Sequence, residues 1–147
     1  MTGIEYSIFE SCSAQDVLTL FNKVFTQSEG ETEGGIVADL VSELISLTPS
    51  NDLFGFVAYS DNSVVGCIFF SRFILPSNES AFLLSPVAVS TEQQGKHVGQ
   101  GLINYGLKHL KSLDVGLVFT YGDPGFYAKV GFDQITESVV KPPFELS

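Results

Sequence analysis

The sequence predicts one domain of the mixed α/β (α+β) class, with a central sheet of about six mostly antiparallel strands and about four helices. A chain of 147 residues fits a single domain spanning 1–147, and a hydrophobic fraction of 44% with 13 phenylalanines supplies a core. Segments with strand and helix periodicity follow one another in the order β-α-α-β-β-β-α-β-α-β. One strand–helix–strand crossover stands among hairpins, which favours a mixed sheet.

The N-terminal half predicts one strand and two helices. Residues 3–10 form the strand, and the spacing of Ser13 and Asp16 is that of a capping box. The first helix then carries apolar residues at helical spacing: Val17, Leu20, Phe21, Val24 and Phe25. The second carries Ile36, Val37, Leu40, Val41, Leu44 and Leu47, and ends before Pro49. Residues 28–35 between them are acidic and rich in glycine, which predicts a mobile loop.

The C-terminal half predicts a hairpin, three further strands and two helices, and the last of these strands follows the short helix. Residues 53–60 and 64–73 form the hairpin around Asp61, Asn62 and Ser63. A strand over 81–89 precedes a long helix over 98–113, and another strand covers 115–121. The buried side of the long helix is expected to hold Leu102, Ile103, Gly106, Leu107, Leu110 and Leu113. A short helix over 125–130 begins at Asp123-Pro124.

Charge and composition narrow the classes of function. The net charge of −10 makes nucleic acid an unexpected partner, because phosphate binding needs a basic face. It slightly favours a cationic small molecule or a basic peptide. We expect no membrane contact and a cytoplasmic location, since neither an apolar run of about 18 residues nor a secretion signal is visible. Cys12 and Cys67 lack metal-ligand spacing, so we expect two reduced thiols and no metal.

The segment over residues 87–102 carries the chemistry. A buried strand ends, a polar turn follows, and glycines at 95, 99 and 101 open the long helix. The first amides of a helix lack intrahelical acceptors and the helix dipole adds positive potential, so phosphates bind there. The segment matches neither a Walker loop nor the dinucleotide fingerprint in spacing. The alternative is a glycine-rich helix start that binds nothing.

Two motifs resemble the GCN5-related N-acetyltransferase (GNAT) family. The run 94–99, Gln-Gly-Lys-His-Val-Gly, is similar to the first motif of the family, except that His97 stands where the family has its first required glycine. The run 126–132, Phe-Tyr-Ala-Lys-Val-Gly-Phe, is similar to its second, and Gly122-Asp123-Pro124 before it resembles the YhbS-like subgroup. The resemblance covers residues 3–132.

This resemblance implies that acetyl-CoA, as co-substrate, lies between two splayed strands. The strand ending at Val89 would offer its backbone to the acetyl and pantetheine groups, and the amides of the following loop would hold the pyrophosphate. Lys96 is either a phosphate contact or a solvated lysine. The implied coenzyme-binding residues are Val87, Ala88, Val89, Gln94, Gly95, Lys96, His97, Val98, Gly99, Gln100 and Gly101.

The roles of three side chains stay open at this point. His97 either crowds the pyrophosphate, donates to it when protonated, or points to solvent with only its amide in use. Tyr127 is the family's general acid, which protonates the departing thiolate, or else a packing residue. Glu79 is a candidate base or a solvated acid.

The implied function is transfer of an acetyl group to a primary amine of an unidentified small molecule or peptide, with Tyr127 as the catalytic residue. The alternative is an inactive acyl-CoA-binding regulator of the same fold, which His97 favours. Lids in this family lie where residues 28–35 do, so we expect that segment to line the acceptor side. Pro142-Pro143 near the C-terminus limits strand pairing and leaves a sheet edge for a second subunit in a homodimer.

Overall fold

The computed structural model describes residues 3–74, 80–94, 97–113, 115 and 118–120. Within them the chain forms five strands and three helices, and short 3-10 turns precede α1, β2 and α3. In chain order the elements are β1 (Glu5–Ile8), α1 (Ala14–Glu29), α2 (Glu31–Leu47), β2 (Leu53–Ser60), β3 (Ser63–Ile74), β4 (Ser80–Val89), α3 (Val98–Ser112) and β5 (Val118–Phe119). This order confirms the α+β class.

The five strands form one sheet in the order β1-β2-β3-β4-β5. The first four pair antiparallel, and β5 pairs parallel to β4 after the crossover through α3. The mixed, mostly antiparallel sheet is therefore as expected. β5 is shorter than the predicted strand over 115–121.

The sheet is covered on both faces, which explains the continuous apolar run in β3. On one face, α3 packs against Phe56, Ile68, Phe70, Phe82 and Leu84. On the other, α1 and α2 pack against Val57, Cys67, Phe69 and Ala88. Neighbouring residues of one strand thus enter opposite cores, as the alternation of side chains in a strand requires.

The β2–β3 hairpin confirms the turn expected at Asp61 and Asn62. Both residues have a positive φ, 51° and 67°, which is the two-residue turn that matches the twist of the flanking strands. Aspartate and asparagine tolerate this conformation better than most side chains.

The capping box predicted at Ser13 is absent. A 3-10 turn over Ser11–Ser13 runs straight into α1, so Ser13 has a nearly helical backbone, with φ −94° and ψ 2°, rather than the extended one that a capping residue needs. Its hydroxyl instead shares a hydrogen bond of 2.9 Å with the hydroxyl of Tyr59 in β2. The serine therefore ties the start of α1 to the sheet.

The mobile loop predicted over residues 28–35 is helical. Gly30 alone, with φ 98°, separates α1 from α2, and its amide bonds to the carbonyl of Thr26 at 2.9 Å. A Cβ on Gly34 would lie 2.8 Å from the carbonyl oxygen of Asn22 and collide with the side chain of Thr26. These glycines therefore serve a sharp turn and a close helix–helix approach, and not flexibility.

The apolar face predicted for α2 is only partly buried. Val41 lies in the core, but Ile36, Leu40 and Leu47 are 54%, 46% and 77% exposed. The helix turns Gly34 and Val41 toward α1 and the sheet, so the isoleucine and the two leucines face outward. Leu113, expected on the buried side of α3, follows the last turn and is also exposed.

Several expectations lie outside the described residues. These are the sixth strand, the short helix over 125–130, the Pro142-Pro143 region, Gly95, Lys96, Glu79 and Tyr127. No helix in the described ranges is long and apolar enough to cross a membrane.

Candidate active site

On the side away from β3, no described residue pairs through its backbone with β4 beyond Leu83, and we call this part of the strand the open edge. In the described part of the chain, β5 pairs with β4 only at Phe82–Val118 and Leu83–Phe119. The next contact comes from a side chain, the hydroxyl of Thr120, which donates to the carbonyl of Leu84 at 3.1 Å. Opposite this point, the β3–β4 register shifts between Ile68 and Phe70. Such irregularities are common beside active sites, where they end strand pairing.

The backbone groups of Val87 and Val89 point to the open side. The amide of Ser90 donates to Val65 of β3 at 2.8 Å, and the register pairs Val89 with Gly66 and Val87 with Ile68. In an antiparallel ladder, hydrogen-bonded pairs alternate with pairs whose amides and carbonyls face the other edge. Val87 and Val89 belong to the second kind and face away from β3.

Ala88 faces β3 with its backbone by the same alternation. Its side chain is 2% exposed and lies in the core beneath α1. The residue therefore supports the strand, whereas its two neighbours present hydrogen-bonding groups to the open edge.

Gln94 fixes the turn that leaves this strand. Its side-chain amide donates to the carbonyl of Val89 at 3.0 Å, and the amide of Gln93 donates to Ser90 at 2.9 Å. The Val89 carbonyl is thus already engaged. The Val89 amide and both backbone groups of Val87 are left facing the open edge.

His97 adopts the conformation that glycine usually supplies. It caps α3 with φ 64° and ψ 18°, is exposed, and makes no side-chain capping bond. Its carbonyl accepts the amide of Gly101 at 2.9 Å, which is the first hydrogen bond of the helix. The amides of Val98, Gly99 and Gln100 precede that bond and have no acceptor within the helix. Free amides of this kind, together with the helix dipole, are favourable for binding an anion.

The amide of Gly101 does not belong to this group of free amides. Its N–H is used inside the helix, and its bare Cα lies under the side chain of Tyr6 from β1. A Cβ at this position would collide with the Tyr6 hydroxyl and lie 2.7 Å from Cζ. Sequence reasoning missed Tyr6, because no pattern of spacing links two residues so far apart in the chain.

The turn before α3 carries an ion pair on its α1 side. Lys23 of α1 lies 3.8 Å from the carboxylate of Glu92, and both side chains are largely exposed. The pKa of Glu92 is lowered, chiefly by its own backbone amide and further by the positive charge of Lys23. Exposed pairs of this kind contribute little stability, so we assign this one only to holding the turn against α1.

No described residues form a cluster of three or more His, Cys, Asp or Glu side chains able to hold a metal ion. Cys12 is exposed and Cys67 is buried, and both are free thiols. His109, in the last turns of α3, packs against the rings of Phe54 and Phe56 at 5.8 and 5.5 Å between centroids. It belongs to the core on that face and not to the open edge of β4.

A family model and one known relative both match this chain, and both are described as acetyltransferases. The family model described as "Acetyltransferase (GNAT) domain" matches residues 51–134. The uncharacterized N-acetyltransferase YjhQ of Escherichia coli (strain K12) is 28% identical over 131 residues, which cover 87% of this chain and 68% of YjhQ.

Two solved structures resemble the fold closely. A GNAT family acetyltransferase from Brucella melitensis, in complex with acetyl-CoA, has a TM-score of 0.74 at 26% identity, covering 90% of this chain and 84% of its own. YhbS from Escherichia coli, in complex with CoA, has a TM-score of 0.77 at 25% identity. The match covers 90% of this chain and 70% of the YhbS chain. Since the family model matches more than half of the sequence, the chain belongs to the GNAT family of acetyltransferases.

Proposed function

We propose that the protein is an acetyl-CoA-dependent N-acetyltransferase that acts on a primary amine. The observation that carries the proposal is the direct connection of two features. The outward-facing backbone at Val87 and Val89 leads through the turn fixed by Gln94 into the left-handed cap and free amides of α3. The relatives solved with acetyl-CoA or CoA support the same ligand for this chain.

The two halves of this surface suit the two halves of the coenzyme. The Val87 backbone and the Val89 amide would bind the amide-rich pantetheine arm as a neighbouring strand does. The amides of Val98, Gly99 and Gln100 would hold the pyrophosphate. Gly95 and Lys96 would complete this loop, with Lys96 adding a charge-assisted contact. Gln94, His97 and Gly101 then act by shaping the backbone.

The proposed reaction is direct transfer. The lone pair of a neutral amine attacks the thioester carbonyl, and an amide at Val87 or Val89 stabilises the developing oxyanion. Collapse of this intermediate breaks the C–S bond and forms the amide. Tyr127 gives its phenolic proton to the departing thiolate; its ordinary pKa of about 10 keeps that proton in place at neutral pH. The amine loses its proton to a base or to solvent.

The net charge of the protein bears on the class of acceptor. With 17 acidic residues against seven basic ones, the protein attracts cationic molecules, and amines are cations before they lose a proton. The charge therefore slightly favours a cationic small molecule or a basic peptide as the acceptor.

The alternative function, an inactive acyl-CoA-binding regulator, depended on His97 in place of a glycine. Because His97 adopts φ 64°, the replacement leaves a left-handed cap at the helix start. This observation supports a loop whose backbone can still bind the coenzyme, and the position of the imidazole then decides between the two functions.

The test combines binding with turnover. Calorimetry measures the dissociation constant of CoA, and a thiol-release assay with acetyl-CoA screens polyamines, amino acids, aminoglycosides and peptide N-termini. Release that depends on an acceptor supports the proposal. Tight binding with no turnover across the panel favours the regulator, and absence of CoA binding contradicts both.

A further inference from the structure

One side chain of β1 lies over the first turns of α3. Tyr6 of β1 is partly buried against the α3 core, and its ring stacks on Tyr105 with centroids 5.9 Å apart. Its phenol end lies over the bare backbone of Gly101, one helical turn before Tyr105. Burial raises the pKa of the Tyr6 phenol, so the ring carries no charge at neutral pH.

The contact at Gly101 is connected to the proposed anion site by one hydrogen bond. The Gly101 amide donates to the carbonyl of His97, which is the left-handed cap. Any shift of the helix backbone at 101 therefore moves the cap, and with it the three free amides between them. Tyr6 itself is held by β1, which pairs with β2 at Tyr6–Ala58.

We propose that Tyr6 is a positioning residue for the coenzyme loop, and that position 101 is glycine to admit the Tyr6 ring and not to admit the pyrophosphate. This rests on the proposed coenzyme site. It differs from the interpretation by motif alone, in which every glycine of the segment lets the ligand approach.

A double-mutant cycle separates the two explanations. Gly101→Ala adds a methyl group where the Tyr6 ring lies, and Tyr6→Val removes the ring while keeping a residue that favours strands. If the ring is what the methyl meets, Gly101→Ala weakens CoA binding about tenfold or more in the wild-type background and less than about threefold in the Tyr6→Val background. If the methyl meets the pyrophosphate, the loss is the same in both, and the proposal is overturned.

Thermal unfolding of the same variants gives a second measurement that separates the two explanations. Alanine is a better helix former than glycine, so Gly101→Ala should raise Tm once the ring is gone and lower it while the ring is present. Gly35→Ala is the matched control, because its added Cβ meets nothing within 4 Å on α2. It should raise Tm and leave the CoA dissociation constant unchanged. A Gly101→Ala effect on Tm that has one sign in both backgrounds contradicts the Tyr6 contact.

Two further variants keep the test decisive. Tyr6→Phe removes only the hydroxyl and leaves Cζ 2.7 Å from an added Cβ, so it should relieve the Gly101→Ala defect in part. Where Tyr6→Val does not fold, the Tyr6→Phe background still tests the contact. In turnover, the Tyr6 variants should raise KM for acetyl-CoA and leave kcat unchanged, because the chemistry lies elsewhere. Wild-type protein that fails to bind CoA contradicts the proposed function; equal losses in a protein that binds contradict only this inference.

Discussion

Replacing His97 tests the left-handed cap on which the proposed coenzyme site depends. We compare His97→Gly with His97→Ala, because neither variant can make a side-chain contact beyond Cβ. At φ 64°, any L-residue other than glycine pays about 1–2 kcal/mol. The greater conformational freedom of glycine in the unfolded chain offsets about 0.4–1 kcal/mol of the stability that the glycine variant gains. His97→Gly should therefore be more stable than His97→Ala by about 0.5–1 kcal/mol, or about 1–4 °C in Tm for a domain of this size.

The sign of this difference is diagnostic, because in an ordinary helical backbone the alanine variant would be more stable than the glycine variant. The wild type should lie between the two variants, since histidine tolerates the left-handed region better than most side chains. Differential scanning calorimetry measures the order. An alanine variant as stable as the glycine variant would refute a positive φ at this position.

Coenzyme affinity of the same variants decides among the roles open to the imidazole. The side chain is exposed and makes no capping bond, so both variants should keep the CoA dissociation constant within about fivefold, because exposed charges are worth less than about 1 kcal/mol. Tighter binding by His97→Gly would show that the ring crowds the phosphates. A loss of affinity in both variants would show that the imidazole donates to them.

Four other changes probe separate parts of the molecule. Gly99→Glu should abolish CoA binding in a protein that remains folded, because a carboxylate at the free amides would repel the pyrophosphate; retained affinity by calorimetry would place the phosphates elsewhere. Tyr127→Phe should lower turnover by about 10²–10⁴-fold at unchanged CoA affinity, and full turnover when chemistry limits the rate would leave the residue a packing role. Ser13→Ala should cost about 1 kcal/mol in chemical denaturation, since it removes the hydrogen bond to β2; an unchanged midpoint would contradict that bond. Iodoacetamide should label Cys12 in the native protein and Cys67 only after unfolding, because burial raises the pKa of the Cys67 thiol well above its ordinary value.

The elements that sequence predicted well are those whose pattern reports burial directly. α1 shows its buried face as Val17, Leu20, Phe21 and Val24, and the structure buries all four. The β2–β3 hairpin follows from two apolar runs around residues that tolerate a positive φ. In each case the information is local, because period and turn chemistry are properties of neighbouring residues.

The elements that sequence missed depend on contacts between distant segments. The composition of residues 28–35 predicts a loop. In the structure, Gly34 is in a helix, and its lack of a side chain lets α1 lie against it. On α2, Ile36, Leu40 and Leu47 have the spacing of a buried face, and only the docking angle of the helix decides that Val41 is the residue turned inward. Periodicity identifies an apolar face without saying what covers it.

The segment after β4 shows the same limit at the site itself. Its glycines suggested one common purpose, close approach of a ligand, but the structure separates them. Gly101 has its amide inside the helix and its bare face under Tyr6, whereas the amides without helical acceptors are those of Val98, Gly99 and Gln100. The left-handed residue that a glycine was expected to supply is His97. Residue type alone therefore does not predict which backbone amides are free, because the direction of an amide depends on local conformation and on packing, and not on the side chains that the motif records.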